Sequence, residues 1–378
     1  MRAKKAYLTV HESQPAHASG LLAWLHIDLP LMTGLVLLSG VGLLILYSAG
    51  DREMILLQKQ LFRLGFGFVA MVALAQIHPA NIRRWSPLLY SVGIVMLLSV
   101  ILFGESGKGA QRWLDLGFLR FQPSEMFKLT LPMLIAWYLA DHRLPPNPTR
   151  LIMAGLFTLV PVLLIAKQPD LGTALLVGTG GAFTLFLAGI SWRLITSTGL
   201  VMTALGPVAW YFMHEYQRQR VLTFLNPESD PLGTGYHIIQ SKIAIGSGGI
   251  SGKGWLNGTQ SHLEFLPERH TDFIFAVISE EFGLVGILAL LSLYLFIILR
   301  GLYIATQAQD TFGRILAGSL SLVFFVYLFV NAGMVTGLLP VVGVPLPLIS
   351  YGGTSLVTIL ASFGMLMSIH THKKLLPT

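Results

Sequence analysis

Charge is what this sequence has least of: only 11% of its 378 residues are Asp, Glu, Lys or Arg, and cysteine is absent. A soluble globular chain carries about 25% charged residues, so the first shortage excludes a mostly water-facing surface. The second excludes disulfides and thiolate metal sites, and leaves cysteine silent on compartment. No His pair has zinc-like spacing and no Ser-His-Asp arrangement is visible. A small-residue cleavage site is also missing behind the first apolar run. That run begins near residue 31, after a polar stretch with Arg2, Lys4 and Lys5, so it is expected to be a retained span and not a signal peptide.

What fills the chain instead is hydrophobic residues, 53% of the total. Apolar runs recur at Leu31–Ser48, Leu61–Ile77, Trp85–Gly104, Glu125–Ala140, Leu151–Ala166, Leu171–Ile190, Leu194–Met213, Phe282–Arg300, Ile315–Leu338 and Ser355–Ser368. In hydrocarbon every backbone N–H and C=O must be paired within its segment, so each run is expected to be a helix. The fold class that follows is an all-α integral membrane protein, a polytopic bundle of about ten transmembrane helices with one large extracytoplasmic loop.

With ten spans both termini share a side. Twelve of the 25 Lys and Arg fall there (Arg2, Lys4, Lys5, Arg83, Arg84, Arg143, Arg150, Arg193, Arg300, Arg314, Lys373 and Lys374), against four of the 18 acids. The remaining 13 cations and 14 acids nearly cancel, so the whole excess of +7 lies on the terminus side, which the positive-inside rule makes cytoplasmic. The basic balance therefore means topology and does not imply a nucleic-acid partner.

Residues 1–30 are expected to be a cytoplasmic segment, and 213–272 a large periplasmic loop. Ile239, Lys242 and Ile243 fall at helical spacing in that loop and Tyr216–Phe224 is similar, as in short amphipathic helices on a membrane surface. A smaller outward loop, Glu105–Pro123, carries Lys108 and Arg112. Gln122-Pro-Ser-Glu and Gln168-Pro-Asp both lead from outward loops into spans, too short an echo to establish an inverted-repeat transporter.

Ionisable residues in spans are costly, and face each other or a cavity. Glu125 and Lys128 are neighbours at i and i+3. With Asp170 they read either as a structural ion pair pinning two spans or as the lining of a functional cavity. Glu280 and Glu281 precede a run already long enough to span, so they are expected to be solvated at the outer rim. Asp272, in Leu266-Pro-Glu-Arg-His-Thr-Asp-Phe, suits both a helix N-cap and a catalytic carboxylate, with Glu268, Arg269 and His270 beside it. The cations Lys108, Arg112, Arg218, Arg220, Lys253 and Arg269 could hold a phosphate-bearing ligand, or contact lipid headgroups. Gly246-Ser-Gly-Gly-Ile-Ser-Gly-Lys-Gly is not a P-loop: Ser247 stands at the first required glycine and Gly254 at the magnesium-binding Ser/Thr, although backbone amides there could still bind an anion. Prolines and glycines from Leu339 to Ser355 exclude an unbroken helix there and suggest a re-entrant turn or cavity wall.

Ala110-Gln-Arg-Trp, Phe121-Gln-Pro-Ser-Glu, Gln168-Pro-Asp-Leu-Gly-Thr, Tyr216-Gln-Arg-Gln-Arg, Gly235-Tyr-His-Ile-Ile-Gln-Ser, the His-Thr-Asp-Phe segment and Pro345 through Gly353 together resemble the SEDS family (shape, elongation, division and sporulation), its elongation branch above all. The resemblance runs from about Asp28 to the end. It implies a single SEDS transmembrane domain over 1–378 and a peptidoglycan glycosyltransferase polymerising lipid II outside the cytoplasmic membrane. It implies Asp272 as the essential carboxylate and Glu125, Lys128 and Asp170 as a buried ion cluster. It also implies partnership with a class B penicillin-binding transpeptidase and the rod-shape proteins MreC and MreD. Arg112, Lys108, Arg218, Arg220, Lys253, Arg269 and His270 are candidates for holding the pyrophosphate or substrate. No cofactor is certain; a divalent cation, magnesium or manganese, could assist. Rival readings are a lipid II flippase and a non-catalytic scaffold for the transpeptidase.

Overall fold

The computed structural model describes residues 25–107, 110–115, 120–213, 215–230, 233–263, 265–266 and 268–372. Its helices are α1 (Leu29–Ala49), α2 (Met54–Ala75), α3 (Pro79–Phe103), α4 (Ser124–Ala140), α5 (Pro148–Lys167), α6 (Leu171–Leu187), α7 (Trp192–Ala204), α8 (Gly206–Phe212), α9 (Glu215–Leu225), α10 (Thr234–Gly248), α11 (Thr259–His262), α12 (Ile274–Thr306), α13 (Thr311–Thr336) and α14 (Thr354–Thr371). Seven of these, α1, α2, α3, α5, α12, α13 and α14, are long and apolar enough to cross a membrane. The other three expected spans fall on shorter helices, with α4 and α6 at 17 residues each and the third split into α7 and α8. The chain is a multi-pass membrane protein, and ten is an approximate count.

Local chemistry sets the helix starts. Asp28 accepts from the Leu31 N–H at 3.0 Å to cap α1, Asn147 accepts from Arg150 to cap α5, and Asp310 accepts from Gly313 to cap α13. Prolines open α1, α3 and α5, where a missing N–H costs nothing.

Helices α4, α6, α12, α13 and α14 form the centre, with α13 packed on α4, α6 and α12. Without a hydrophobic drive between helices in lipid, small residues let backbones approach. A methyl group at Gly364 of α14 would lie 2.4 Å from the Met71 carbonyl of α2. Helices α7 and α8 are almost wholly exposed and pack mainly on each other.

The smaller outward loop holds the one departure from an all-α fold among the described residues: β1 (Glu105–Gly107), β2 (Ala110–Asp115) and β3 (Arg120–Phe121) make a three-stranded antiparallel sheet. Two expectations are corrected here. Glu280 and Glu281 are 0% and 1% exposed, not solvated. The reason is that α12 begins at Ile274, eight residues before the apolar run, and breaks at Gly283, where φ is +62° and ψ −160°. The pair therefore sits in a short buried stretch on one side of the break. The second concerns the glycine loop, whose amides were left open to anion binding. Three of them are occupied: Gly252 N–H donates to the Gly248 carbonyl at 2.8 Å, and Lys253 and Gly254 N–H donate to the Glu280 and Glu281 carbonyls at 3.0 and 2.9 Å. In return Leu284 and Val285 N–H donate to the Gly249 and Ile250 carbonyls at 3.0 and 3.1 Å. The glycine loop thus supplies the hydrogen bonds that the broken helix has lost.

Between α13 and α14 the chain re-enters the bundle without regular structure. Gly337 ends α13 in the left-handed conformation that a Cβ disfavours. Buried side chains then hold the segment: Gln60 of α2 donates to the Ser350 carbonyl at 3.2 Å, and Tyr294 of α12 donates to that of Pro347 at 2.6 Å. The helix ends nearest this segment and residues 213–273 are the loop end of the bundle; the opposite one, near both termini, is the terminal end.

Candidate active site

The site begins with a turn. Residues 268–273 precede α12, with Thr271 N–H donating to the Glu268 carbonyl at 3.0 Å. Asp272 is half-buried, and is not the N-cap that the bland reading allowed: Phe273 holds that place. Three successive carbonyls of the turn are tied to the far side of the sequence. The Tyr351 N–H donates to His270 at 2.8 Å, the Ser350 hydroxyl to Thr271 at 2.6 Å, and the Asn331 amide to Asp272 at 2.9 Å. Gly343 lies against the carboxylate, where an added methyl group would be 3.4 Å from Asp272 Oδ2.

Next to this turn lies the intramembrane cluster. Glu125 and Lys128 are 4% and 5% exposed, and Lys128 Nζ meets Glu125 Oε1 at 2.5 Å. That pair is internal to α4, so it cannot pin two spans together, one of the two roles weighed for it. Lys128 also rests over the Tyr327 ring of α13, 4.6 Å from its centroid. A small cavity beside Lys128 is walled by Leu320, Val323, Phe324 and Tyr327 of α13 and Thr358 of α14. Glu125 Oε2 is buried without a hydrogen-bond partner among the described residues. Asp170 caps α6 through the Thr173 N–H, accepts from Gln122 at 3.0 Å, and has Arg112 3.8 Å away.

The re-entrant segment joins the two clusters. An added methyl at Gly172, two residues beyond Asp170, would lie 2.6 Å from the Val342 carbonyl, and the next residue is the Gly343 that touches Asp272. Tyr327 and Asn331 are one turn apart on α13, so a single helix face serves Lys128 on one side and Asp272 on the other.

The other candidates scatter. Lys253 is bound to buried Glu280 at 2.7 Å and to the Thr259 hydroxyl at 2.7 Å. Arg269 donates to Asp51 and to the Ser261 carbonyl. Arg218 caps the end of α8 through the Trp210 and Tyr211 carbonyls at 3.0 and 2.8 Å. Arg220 lies two residues further along α9, half-buried. His270 is beside Tyr351, ring centroids 6.0 Å apart. Lys108 lies outside the described residues. No group of three or more His, Asp or Glu able to hold a metal exists among the described residues.

Sequence reading missed four residues here. Arg63 lies in a run read as wholly apolar, and its guanidinium stacks 4.4 Å above the Tyr351 ring; an arginine inside such a run was itself the signal. Gln60, one turn earlier, was passed over for the same reason. His237 stacks on Phe273 at 5.6 Å, and burial lowers its pKa while the Glu268 charge opposes. Asn331 carried no sequence signal beyond being an amide in an apolar run.

At the terminal end the polar groups differ in kind. Arg300 of α12 donates to Asp28 at 3.0 and 2.6 Å, and His370 of α14 is 3.3 Å from it. Burial pushes the Asp28 carboxyl up, but hydrogen bonds from Arg300 and Leu31 and the nearby charges hold it below its usual range. His26 stacks on His372 at 3.9 Å, and His78 meets the same ring edge-on at 5.3 Å. Arg83 and Asp141 pair at 2.5 Å on the surface.

With this geometry in view, the comparisons gain meaning. Residues 21–375 match the FTSW_RODA_SPOVE model, described as cell cycle protein. Over 352 residues the chain is 54% identical to peptidoglycan glycosyltransferase MrdB of Escherichia coli K12, covering 93% of this chain and 95% of that one. It is 32% identical to peptidoglycan glycosyltransferase RodA of Treponema pallidum, covering 92% and 98%. Among solved structures, it matches a chain of a peptidoglycan synthase complex, described as coordinating polymerization and crosslinking, with TM-score 0.80, 34% identity and coverage of 91% and 97%. It also matches the rod shape determining protein RodA of Thermus thermophilus, with TM-score 0.71, 29% identity and coverage of 93% and 99%.

Proposed function

We infer that this chain, which belongs to the FtsW/RodA/SpoVE family of cell cycle proteins, is a peptidoglycan glycosyltransferase. Its substrate in this reading is lipid II, joined into β-1,4 glycan strands during elongation. The observation that carries the site is the half-buried Asp272 on a turn whose three carbonyls are fixed, linked through Asn331 and Tyr327 of α13 to the buried acid–lysine cluster. The reaction is an inverting displacement. The acceptor 4-hydroxyl attacks the donor's anomeric carbon, the bond to the pyrophosphate oxygen breaks, and Asp272 takes the hydroxyl proton as general base. Undecaprenyl pyrophosphate leaves as a stable anion and needs positive charge more than an acid. Half-buried Arg220 is the first candidate to supply it, since Lys253, Arg269 and Arg112 are paired with Glu280, Asp51 and Asp170.

The similar synthase complex supports a crosslinking partner, which we take to be a class B penicillin-binding transpeptidase, with MreC and MreD in the wider assembly. The location is the cytoplasmic membrane, with termini inside and the loop end outside, on the charge asymmetry of the sequence. The test is polymerisation of labelled lipid II by the full chain, with and without the transpeptidase, and with chelator and metal add-back. Glycan strands lost in Asp272→Ala support the reading. Transbilayer movement of lipid II without glycan would replace it with the flippase, and full activity in Asp272→Ala would remove the base assignment.

A further inference from the structure

We propose that Asn331 is the positioning residue for Asp272, an inference that rests on the base reading above. Asn331 is fully buried on α13, and its amide nitrogen donates both hydrogens: to the Asp272 carbonyl at 2.9 Å and to the Val344 carbonyl at 2.7 Å. These acceptors are 59 residues upstream and 13 downstream of it. The side-chain assignment is fixed by its partners, because two carbonyls can be served only by an NH2. One amide therefore sets two things at once. It fixes the backbone from which the Asp272 carboxylate projects. It also fixes Val344, whose neighbour Gly343 touches that carboxylate.

The site around it makes this placement consequential. The His270 and Thr271 carbonyls are held by Tyr351 and Ser350, both from the re-entrant segment. Only the Asp272 carbonyl is held from a continuous helix, and that helix also carries Tyr327 against Lys128. Asn331 thus gauges the base against the acid–lysine cluster. A base must sit within hydrogen-bond reach of the proton it removes, and small misplacements lower the rate without weakening ground-state binding.

Asn331→Leu keeps the branched shape and removes both donors, and Asn331→Ser keeps one donor. In the full-length chain reconstituted with labelled lipid II and the transpeptidase, kcat per folded molecule should fall by roughly tenfold or more in the Leu variant and less in Ser. KM for lipid II should stay within about twofold. Folded fraction is read from thermal unfolding of the same preparations, and Ser keeps the test open if Leu does not fold. The proposal is overturned if kcat per folded molecule is unchanged, with all loss in yield or melting temperature, or if the loss is confined to KM. Asp272→Asn runs alongside. If it still polymerises, the base reading falls and takes this inference with it; if it is inactive while Asn331→Leu keeps full kcat, only the inference falls.

Discussion

The two ends of the bundle spend their polar residues differently. At the terminal end, charges sit in ion pairs such as Asp28–Arg300 and Arg83–Asp141, on helices with ordinary caps. At the loop end ion pairs such as Lys253–Glu280 and Arg269–Asp51 occur as well, but helices stop or break at Gly283 and Gly337, and backbone carbonyls are held by side chains such as Asn331, Ser350 and Gln60. Regular backbone satisfies itself, so its charges are free to tie helices together. Irregular backbone must be satisfied from outside, and buried amides and hydroxyls are consumed in doing so. The cost is accepted only at the end where the comparison of residues points to chemistry.

Five predictions break or sharpen that contrast. Asp272→Ala should lower glycan polymerisation by about 10²–10⁴-fold with the protein still folded, read by gel analysis of labelled glycan. Glu125→Gln strands a buried lysine, so unfolding stability should fall by about 3–5 kcal/mol; Glu125→Gln with Lys128→Met should recover much of that stability in thermal unfolding without recovering activity. Gly252→Ala places a methyl 2.1 Å from the Glu281 carbonyl at φ +77°, and should cost about 1–3 kcal/mol or more. Asp28→Asn should cost about 1–2 kcal/mol at neutral pH. A lowered carboxylate means that the folded state binds fewer protons than the unfolded one. The Asp28 contribution is therefore complete above the unfolded pKa of about 3.9 and lost as pH falls through the folded value. Wild type should thus lose more stability than Asp28→Asn in melts taken below pH 5. Arg83→Ala, at a pair whose Asp141 is 70% exposed, should cost less than about 1 kcal/mol and leave polymerisation unchanged.

Hydropathy was enough to outline the bundle because lipid imposes one rule on every span: long apolar helices. It was least reliable where that rule is suspended. Glu280 and Glu281 were misplaced because the apolar run after Phe282 spans by itself, and nothing in the run signals that the helix starts earlier and breaks. The 246–254 glycines advertised free amides, yet their partners are carbonyls on a distant helix. Glu125 with Lys128 was readable from i, i+3 spacing, whereas Asp170 with Arg112 depends on a contact across 58 positions of sequence. Asp272 was singled out by its neighbours and by family resemblance. Asn331 was invisible, since a sequence shows an amide's presence and not the two carbonyls it joins.

The patch at Gly283 also orders the making of the protein. Leu284 and Val285 find their acceptors in Gly249 and Ile250, chain synthesised about 35 residues earlier. A ribosome delivers the loop before the helix it completes, so the acceptors for the second half of α12 are made before its donors. Were the order of these segments reversed by circular permutation, the same contacts would be encoded, but the broken helix would enter the bilayer with two amides waiting. Chain direction is thereby part of how this fold avoids exposing bare backbone to lipid.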